Sequence, residues 1–272
     1  MPTQAEKGRL FKERHARPGI LILPNPWDAG TAKLLQSLGF EALATTSLGM
    51  SNALGRADGE GAVSRAELLE NCRVIAEATE LPVNADLENG YADDPTEAAT
   101  ILRDAAAVGI VGGSIEDWSG ERIYDFNHAV ERVVAGVEMA RSLPVPFTFV
   151  ARAENLIRGR ADLDDTIRRL QAFEKAGADV LYAPGLSDLA TMKLVASSVG
   201  KPINVVMSAA DPALSAAEME AVGVKRLSVG GALSRLALAA FMKGAREMKE
   251  KGGFTWMNDT LSSRDLKAVF RG

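Results

Sequence analysis

Four times in this chain a helix-length segment closes on a glycine between apolar residues, and an apolar run follows. The closures are Leu38-Gly39-Phe40, Val108-Gly109-Ile110, Ala176-Gly177-Ala178 and Val222-Gly223-Val224. Glycine takes the left-handed conformation that ends a helix without steric cost. Elsewhere proline introduces the run, at Leu81-Pro82, Val145-Pro146 and Lys201-Pro202. The runs predict strands over 20–24, 42–46, 82–86, 112–116, 147–152, 180–183, 203–207 and 226–229. They are continuously apolar rather than alternating, as in strands covered on both faces of a parallel sheet. Eight such units, each followed by a helix-length segment, predict a (β/α)8 TIM barrel, with a doubly wound open sheet as the other topology. No proline- or serine-rich linker divides the chain. Residues 1–272 therefore read as one domain, with a first helix over 4–15 and a barrel core over about 18–235.

Composition narrows the partners. A net charge of −5 gives no basic face for nucleic acid. No apolar run approaches the roughly 20 residues of a membrane helix, and the first residues lack the basic-then-apolar order of a signal peptide. A single cysteine, Cys72, cannot form an internal disulfide. A reducing, cytoplasmic location is expected. After Lys251, Phe254, Trp256 and Met257 are poor choices for a free tail, so this extension is expected to pack on a neighbour.

In barrels of this kind chemistry sits at the C-terminal strand ends. Those ends carry Thr45-Thr46-Ser47-Leu48-Gly49, then Asp86 and Glu88, Glu116-Asp117, and Arg152 with Glu154. The sixth to eighth strands end instead in Ala183-Pro184-Gly185, Met207-Ser208 and Ser228-Val229-Gly230-Gly231. The pocket is expected to be lopsided toward strands two to five. Asp86 and Glu88 are two apart, which on a strand sends both to one side. With Glu116 they make an oxygen-only set that suits a hard ion such as Mg²⁺; the plainer reading is solvated loop acids or helix N-terminal charges. His15, His128 and Cys72 fall within helices, which disfavours zinc and leaves no Ser-His-Asp set. Arg152 suits bidentate capture of a carboxylate or phosphate, or else a salt bridge to Glu154 or Asp117. The turn at 45–49 is an anion cradle or an ordinary Ser/Gly turn. Segment 52–61, with Asp58, is a flap or a surface loop, and 118–125 is a second lid candidate.

Taken in order, several stretches resemble the isocitrate lyase/phosphoenolpyruvate mutase family. They are Asn25-Pro-Trp-Asp28-Ala, Thr46-Ser-Leu-Gly49, Gly55-Arg-Ala-Asp58-Gly, Asn84-Ala-Asp-Leu-Glu-Asn-Gly-Tyr91, Ser114-Ile-Glu-Asp117 and Ala151-Arg-Ala-Glu154. The resemblance covers about residues 18–235. It implies a barrel whose last helix, here within 232–272, is exchanged between subunits of a homodimer or homotetramer. It also implies Mg²⁺-dependent chemistry, with Mn²⁺ as a substitute, on small 2-oxo or 2-hydroxy acids. By that resemblance Asp86 binds the metal directly, while Asp58, Glu88 and Glu116 hold its waters. Ser47, Leu48 and Gly49 cradle the substrate's carboxylate or enolate oxygen, and Arg152 clamps the carboxylate. Ser47, Asp58 and Arg152 then form the catalytic set.

The departures from the family bear on the reaction. Lyases of this family carry a Lys-Cys-Gly-His run after strand four, where this chain has Trp118-Ser-Gly-Glu-Arg-Ile-Tyr-Asp125. Strand six shows Tyr182-Ala-Pro184 in place of an inward glutamate or histidine, and Thr45 and Thr46 replace the aromatic residue ending strand two. Asn204 stands two positions before the lyases' asparagine. The expectation is a lyase or decarboxylase acting on an oxaloacetate-like acid through a pyruvate enolate. The alternatives are P–C chemistry on phosphoenolpyruvate or phosphonopyruvate (mutase or hydrolase), and a non-catalytic 2-oxo-acid-binding protein.

Overall fold

The computed structural model describes residues 1–59 and 61–271. Helix α1 (Gln4–Ala16) starts at a capping box in which Thr3 and Glu6 satisfy each other's amides. The chain then runs β1 (Leu21–Leu23), α2 (Ala29–Ser37), β2 (Leu43–Ala44), α3 (Ser47–Ala53), α4 (Arg65–Ala78), β3 (Val83–Asp86), α5 (Pro95–Ala107) and β4 (Gly112–Glu116). It continues with α6 (Phe126–Ser142), β5 (Thr148–Arg152), α7 (Leu163–Ala176), β6 (Val180–Tyr182), α8 (Leu189–Ser197), β7 (Ile203–Val206), α9 (Ala216–Ala221) and β8 (Arg226–Ser228). Two helices, α10 (Ala232–Lys251) and α11 (Ser263–Arg271), close the chain. All eight expected strands form, most of them a residue or two shorter than the apolar runs suggested.

Every strand pair is parallel, in the order β1-β8-β7-β6-β5-β4-β3-β2. The Ala44 amide donates to the Pro24 carbonyl at 3.1 Å and draws the β1 and β2 edges together. This is the (β/α)8 TIM barrel. Phe11, fully buried on α1, plugs its bottom against Leu21, Leu23, Ala42, Ala44 and Val111. The plug requires glycine at 112, because a Cβ there would lie 2.8 Å from the Phe11 ring and 3.0 Å from the Thr148 carbonyl oxygen. On the outer face Leu43, Ala85, Ile115, Ala151, Leu181, Val205 and Leu227 pack beneath the helices in one continuous core. Among the described residues no helix is long and apolar enough to cross a membrane.

The C-terminal part behaves differently. Helix α10 leaves Leu236 65 % and Phe241 69 % exposed, and Ile22 on the outer face of β1 is bare to 39 %. The tail was expected to pack on a neighbour. Within the chain Trp256 folds back over Gly244 and α11 returns to α2, while Phe254 and Met257 stay exposed.

Candidate active site

Strand β3 stops at Asp86, two residues before Glu88, so alternation along the strand does not carry Glu88. Glu88 lies in the following turn with φ +49°, and Gly90 (φ +81°) and Tyr91 (φ +63°) share the left-handed region. Two non-glycine residues there cost on the order of 1–3 kcal/mol each, so the turn must be held from outside. Arg132 of α6 holds it, donating to the carbonyls of Ala92 and Asp93 at 2.7 Å and to that of Asn89. The Gly90 amide donates to Leu87 O (2.9 Å), and the Glu116 amide to Glu88 O (3.0 Å). Glu88 thus reaches the Asp86 side through a clamped turn, not through strand alternation.

The first turn of α3 makes the opposite wall. Thr46 is its N-cap and accepts from the Gly49 amide at 3.3 Å. Ser47 donates from Oγ (3.1 Å) and, more weakly, from its amide (3.4 Å) to Asp86 Oδ2. The 45–49 segment is therefore a capped helix start rather than an open turn, and the amides of Thr45, Ser47 and Gly49 already have partners. Leu48 packs against Gly231, where a Cβ would fall 2.2 Å from Leu48 Cδ2.

Arg152, the last residue of β5, is the cation at the centre. Its Nη1 donates to Asp86 Oδ1 (2.8 Å), its Nε to Glu154 Oε1 (3.0 Å), and its Nη2 lies 3.1 Å from Glu116 Oε2. Tyr182 lies under it, with the guanidinium carbon 4.9 Å from the ring centroid. Arg158 adds a second guanidinium 3.5 Å from Glu116 and from Glu154, stacked 4.5 Å from the Trp118 ring. Burial lowers the pKa of Arg152, but Glu154, Glu116 and Asp86 reverse this and raise it well above the usual arginine value. Burial pushes Glu116 well above the carboxylate range, against the pull of Arg152. Asp117 turns away from Arg152. It accepts from the Glu154 amide (2.8 Å) and from Arg169 (2.9 Å), which also bonds Asp165 (2.8 Å). That buried set fixes the loop carrying Glu154 and Arg158.

Asp58, Asp86, Glu88 and Glu116 line one cavity of ≈ 270 Å³ together with Ser47, Glu154, Arg152 and Arg158. Of the sequence candidates, Leu48 and Gly49 are not in its wall, and the 118–125 segment meets it only through Trp118 behind Arg158. That segment is a short hairpin pinned by the Trp118–Ile123 bridge and by the Tyr124 amide on Asp117 O. The 52–61 segment brings Asp58 and Gly59 to the wall; Glu60 within it lies outside the described residues. Among the described residues no three His, Cys, Asp or Glu side chains gather into a ready-made metal cage. Mg²⁺ does not require one, since it keeps several waters and takes one or two carboxylates directly. The carboxylate and hydroxyl oxygens of that wall and the space for water fit that ion.

The phosphoenolpyruvate phosphomutase family model matches residues 11–249. The chain belongs to the isocitrate lyase/phosphoenolpyruvate mutase family. Its relatives include lyases and mutases. It is 27 % identical over 231 residues to 2,3-dimethylmalate lyase of Eubacterium barkeri, covering 82 % of this chain and 78 % of that one. A crystal structure from Burkholderia cenocepacia J2315, provisionally described as a lyase/mutase, superposes with a TM-score of 0.96. It shares 49 % identity and covers 99 % of this chain and 97 % of its own. A phosphonopyruvate hydrolase crystallised with oxalate and Mg²⁺ shares the fold at 20 % identity (TM-score 0.86, 97 % and 96 % covered).

Arg132, Arg158, Arg169 and Tyr182 were not singled out from the sequence. Three of them lie on helices or loops with no periodic signal toward the site. Tyr182 was visible only as a departure from the family.

Proposed function

We propose that this family member is a Mg²⁺-dependent lyase or decarboxylase, with Mn²⁺ as a substitute ion, acting on a small oxaloacetate-like 2-oxo or 2-hydroxy acid. The observation that carries the reading is the cavity in which Asp58, Asp86, Glu88 and Glu116 face Ser47 and Arg152. In this reading Asp86 is the direct ligand, and the other three acids hold the ion's waters. When bound, the ion supplies Lewis-acid polarisation of the substrate carbonyl. Arg152 offers its planar fork to the substrate carboxylate. Ser47 orients Asp86 and presents a donor near the carbonyl oxygen, and Asp58 with Gly59 narrows access for bulk water. Breaking the C–C bond beside the carbonyl leaves its electron pair as an enolate. In decarboxylation the departing group is CO2, and a solvent proton then completes the product at carbon.

Two guanidiniums in one cavity also suit a phosphonate, which favours P–C chemistry on phosphonopyruvate as the second reading. The test is a panel of oxaloacetate, phosphonopyruvate, phosphoenolpyruvate and 2-alkylmalates with Mg²⁺, monitored for pyruvate. Asp86→Asn is expected to lose turnover by on the order of a hundredfold or more. Full Mg²⁺-dependent turnover in that variant would end the reading, and binding without product would make the chain a 2-oxo-acid-binding protein.

A cytoplasmic homodimer or homotetramer joined by exchange of α10 belongs to the same proposal. The exposed Leu236 and Phe241 on α10 and the bare Ile22 on β1 support it, since each lacks a cover the other type of surface would supply. Light scattering that returned a monomer would remove it.

A further inference from the structure

Below the mouth, the barrel interior is polar where layers of bulky aliphatic residues are usual. One register row crosses it: Arg152 stands opposite Tyr182, Tyr182 opposite Asn204, and Asn204 opposite Arg226. The row begins at the last residue of β5 and ends at the first residue of β8. Three strand spacings of about 4.8 Å put the two arginine Cα atoms about 14 Å apart along the sheet. Both side chains line one interior cavity of ≈ 50 Å³, with Asp86, Tyr182, Asn204 and Ser228 also in its wall.

The two arginines differ in their partners. Arg152 has three carboxylates. Arg226 is 2 % exposed, and its Nε and Nη1 have no hydrogen-bond partner. Among the described residues no carboxylate pairs with it. Burial brings its pKa down to about 10, which still leaves it cationic at neutral pH. A buried cation without a partner is costly, and an arginine fork is built for a planar oxyanion. Ser228 Oγ accepts from Asn204 Nδ2 (3.1 Å), so its own proton is available to the cavity. The volume holds about three or four water-sized groups, which accommodates the three heavy atoms of a carboxylate. Asp86 and Arg152 also line the mouth cavity, so a ligand seated there is next to this one.

We propose that the interior cavity is a carboxylate subsite in which Arg226 binds the second carboxylate of the substrate. The proposal rests on the mouth binding a 2-oxo or 2-hydroxy acid. Malate and lactate differ by one carboxylate and are stable in the presence of Mg²⁺. Calorimetry on the full chain is expected to show Arg226→Met weakening malate by about 10- to 100-fold, leaving lactate within twofold, and Arg226→Lys recovering part of the loss. Unchanged malate affinity in Arg226→Met would overturn the subsite. Crystals of the full chain soaked in bromide supply the second readout. An anomalous peak beside Arg226 Nε and Nη1 is expected, lost in Arg226→Met; an interior holding only water would overturn the proposal. A bromide peak without binding of either acid would keep an anion site, overturn its assignment to a substrate carboxylate, and refute the reading of the mouth.

Discussion

Arg152 and Arg226 share a register row, yet the barrel treats them oppositely. On the β3–β5 arc a guanidinium is paired with Asp86, Glu116 and Glu154, and Arg158 reinforces the last two. On the β6–β8 arc the neighbours are Tyr182, Asn204 and Ser228, and among the described residues no acid pairs with the guanidinium. The first arc is a charge-compensated network whose parts depend on one another. The second holds a charge that no carboxylate among the described residues pairs with. Position in the sheet does not decide a buried arginine's role; what the adjacent strand ends contribute does.

Removing the cation from the first arc should have the largest effect. Arg152→Met leaves Asp86, Glu116 and Glu154 facing one another, and breaking a buried pair on one side costs roughly 3–5 kcal/mol. Denaturant unfolding should show that loss, partly restored by millimolar Mg²⁺ as a replacement cation, with turnover on the preferred substrate essentially abolished. If Arg152→Met were as stable as the parent, the acids would be solvated and the contrast between the arcs would disappear. Glu154→Gln is a milder probe, since Arg152 keeps two carboxylates. A loss of about 2 kcal/mol is expected, near the value of a hydrogen bond to a charged group. Equal losses from the two variants would mean that Glu154, not Arg152, organises the network.

The same substitution on the second arc should have the opposite sign. Arg226→Met replaces an unpaired buried charge by an apolar chain of similar length, a change that is commonly neutral or stabilising. Its thermal midpoint should match or exceed the parent's even as malate binding falls. A loss comparable to that of Arg152→Met would show that Arg226 has a structural partner, and the two arcs would be alike.

The frame was legible in the sequence for a simple reason. Continuous apolar runs, closing glycines and introducing prolines are local signals, and all eight strands appeared where they placed them. Asp86, Glu116 and Arg152 were legible as sites because each ends such a run. Glu88 was chosen on an alternation that the structure replaces with a left-handed turn clamped by Arg132. That clamp comes from α6, and residues brought together across about forty positions leave no local signal. Arg226 was hidden for another reason. It opens a strand instead of ending one, and only the tilt of the strands brings it into the same interior as Arg152. The lid expected at 118–125 read as open because glycine and charge look alike in a flap and in a pinned hairpin.

The smallest effect reads the charge of Arg226 without any substrate. His15 sits on α1 at the barrel's closed end, 8 % exposed and edge-on to Phe11. Its Nδ1 lies 2.8 Å from the Phe11 carbonyl, and since a carbonyl only accepts, Nδ1 carries the proton. Burial first and the Arg226 charge second push its pKa down from 6.5 to about 4; Lys225 adds to this, while the Phe11 carbonyl and Asp179 oppose it. Below pH 6.5 the unfolded chain takes up a proton that the folded chain refuses until about pH 4. His15 therefore costs stability as pH falls through that window, and the cost is absent above it. Neutralising Arg226, by Arg226→Met or by an anion bound beside it, should raise the His15 pKa and soften this acid limb. NMR titration of the His15 ring proton measures the shift directly. A pKa unmoved by Arg226→Met would mean that the charge does not reach α1. A rise with Arg226→Met but none with bromide would mean that the charge acts on α1 while the cavity above it takes no anion.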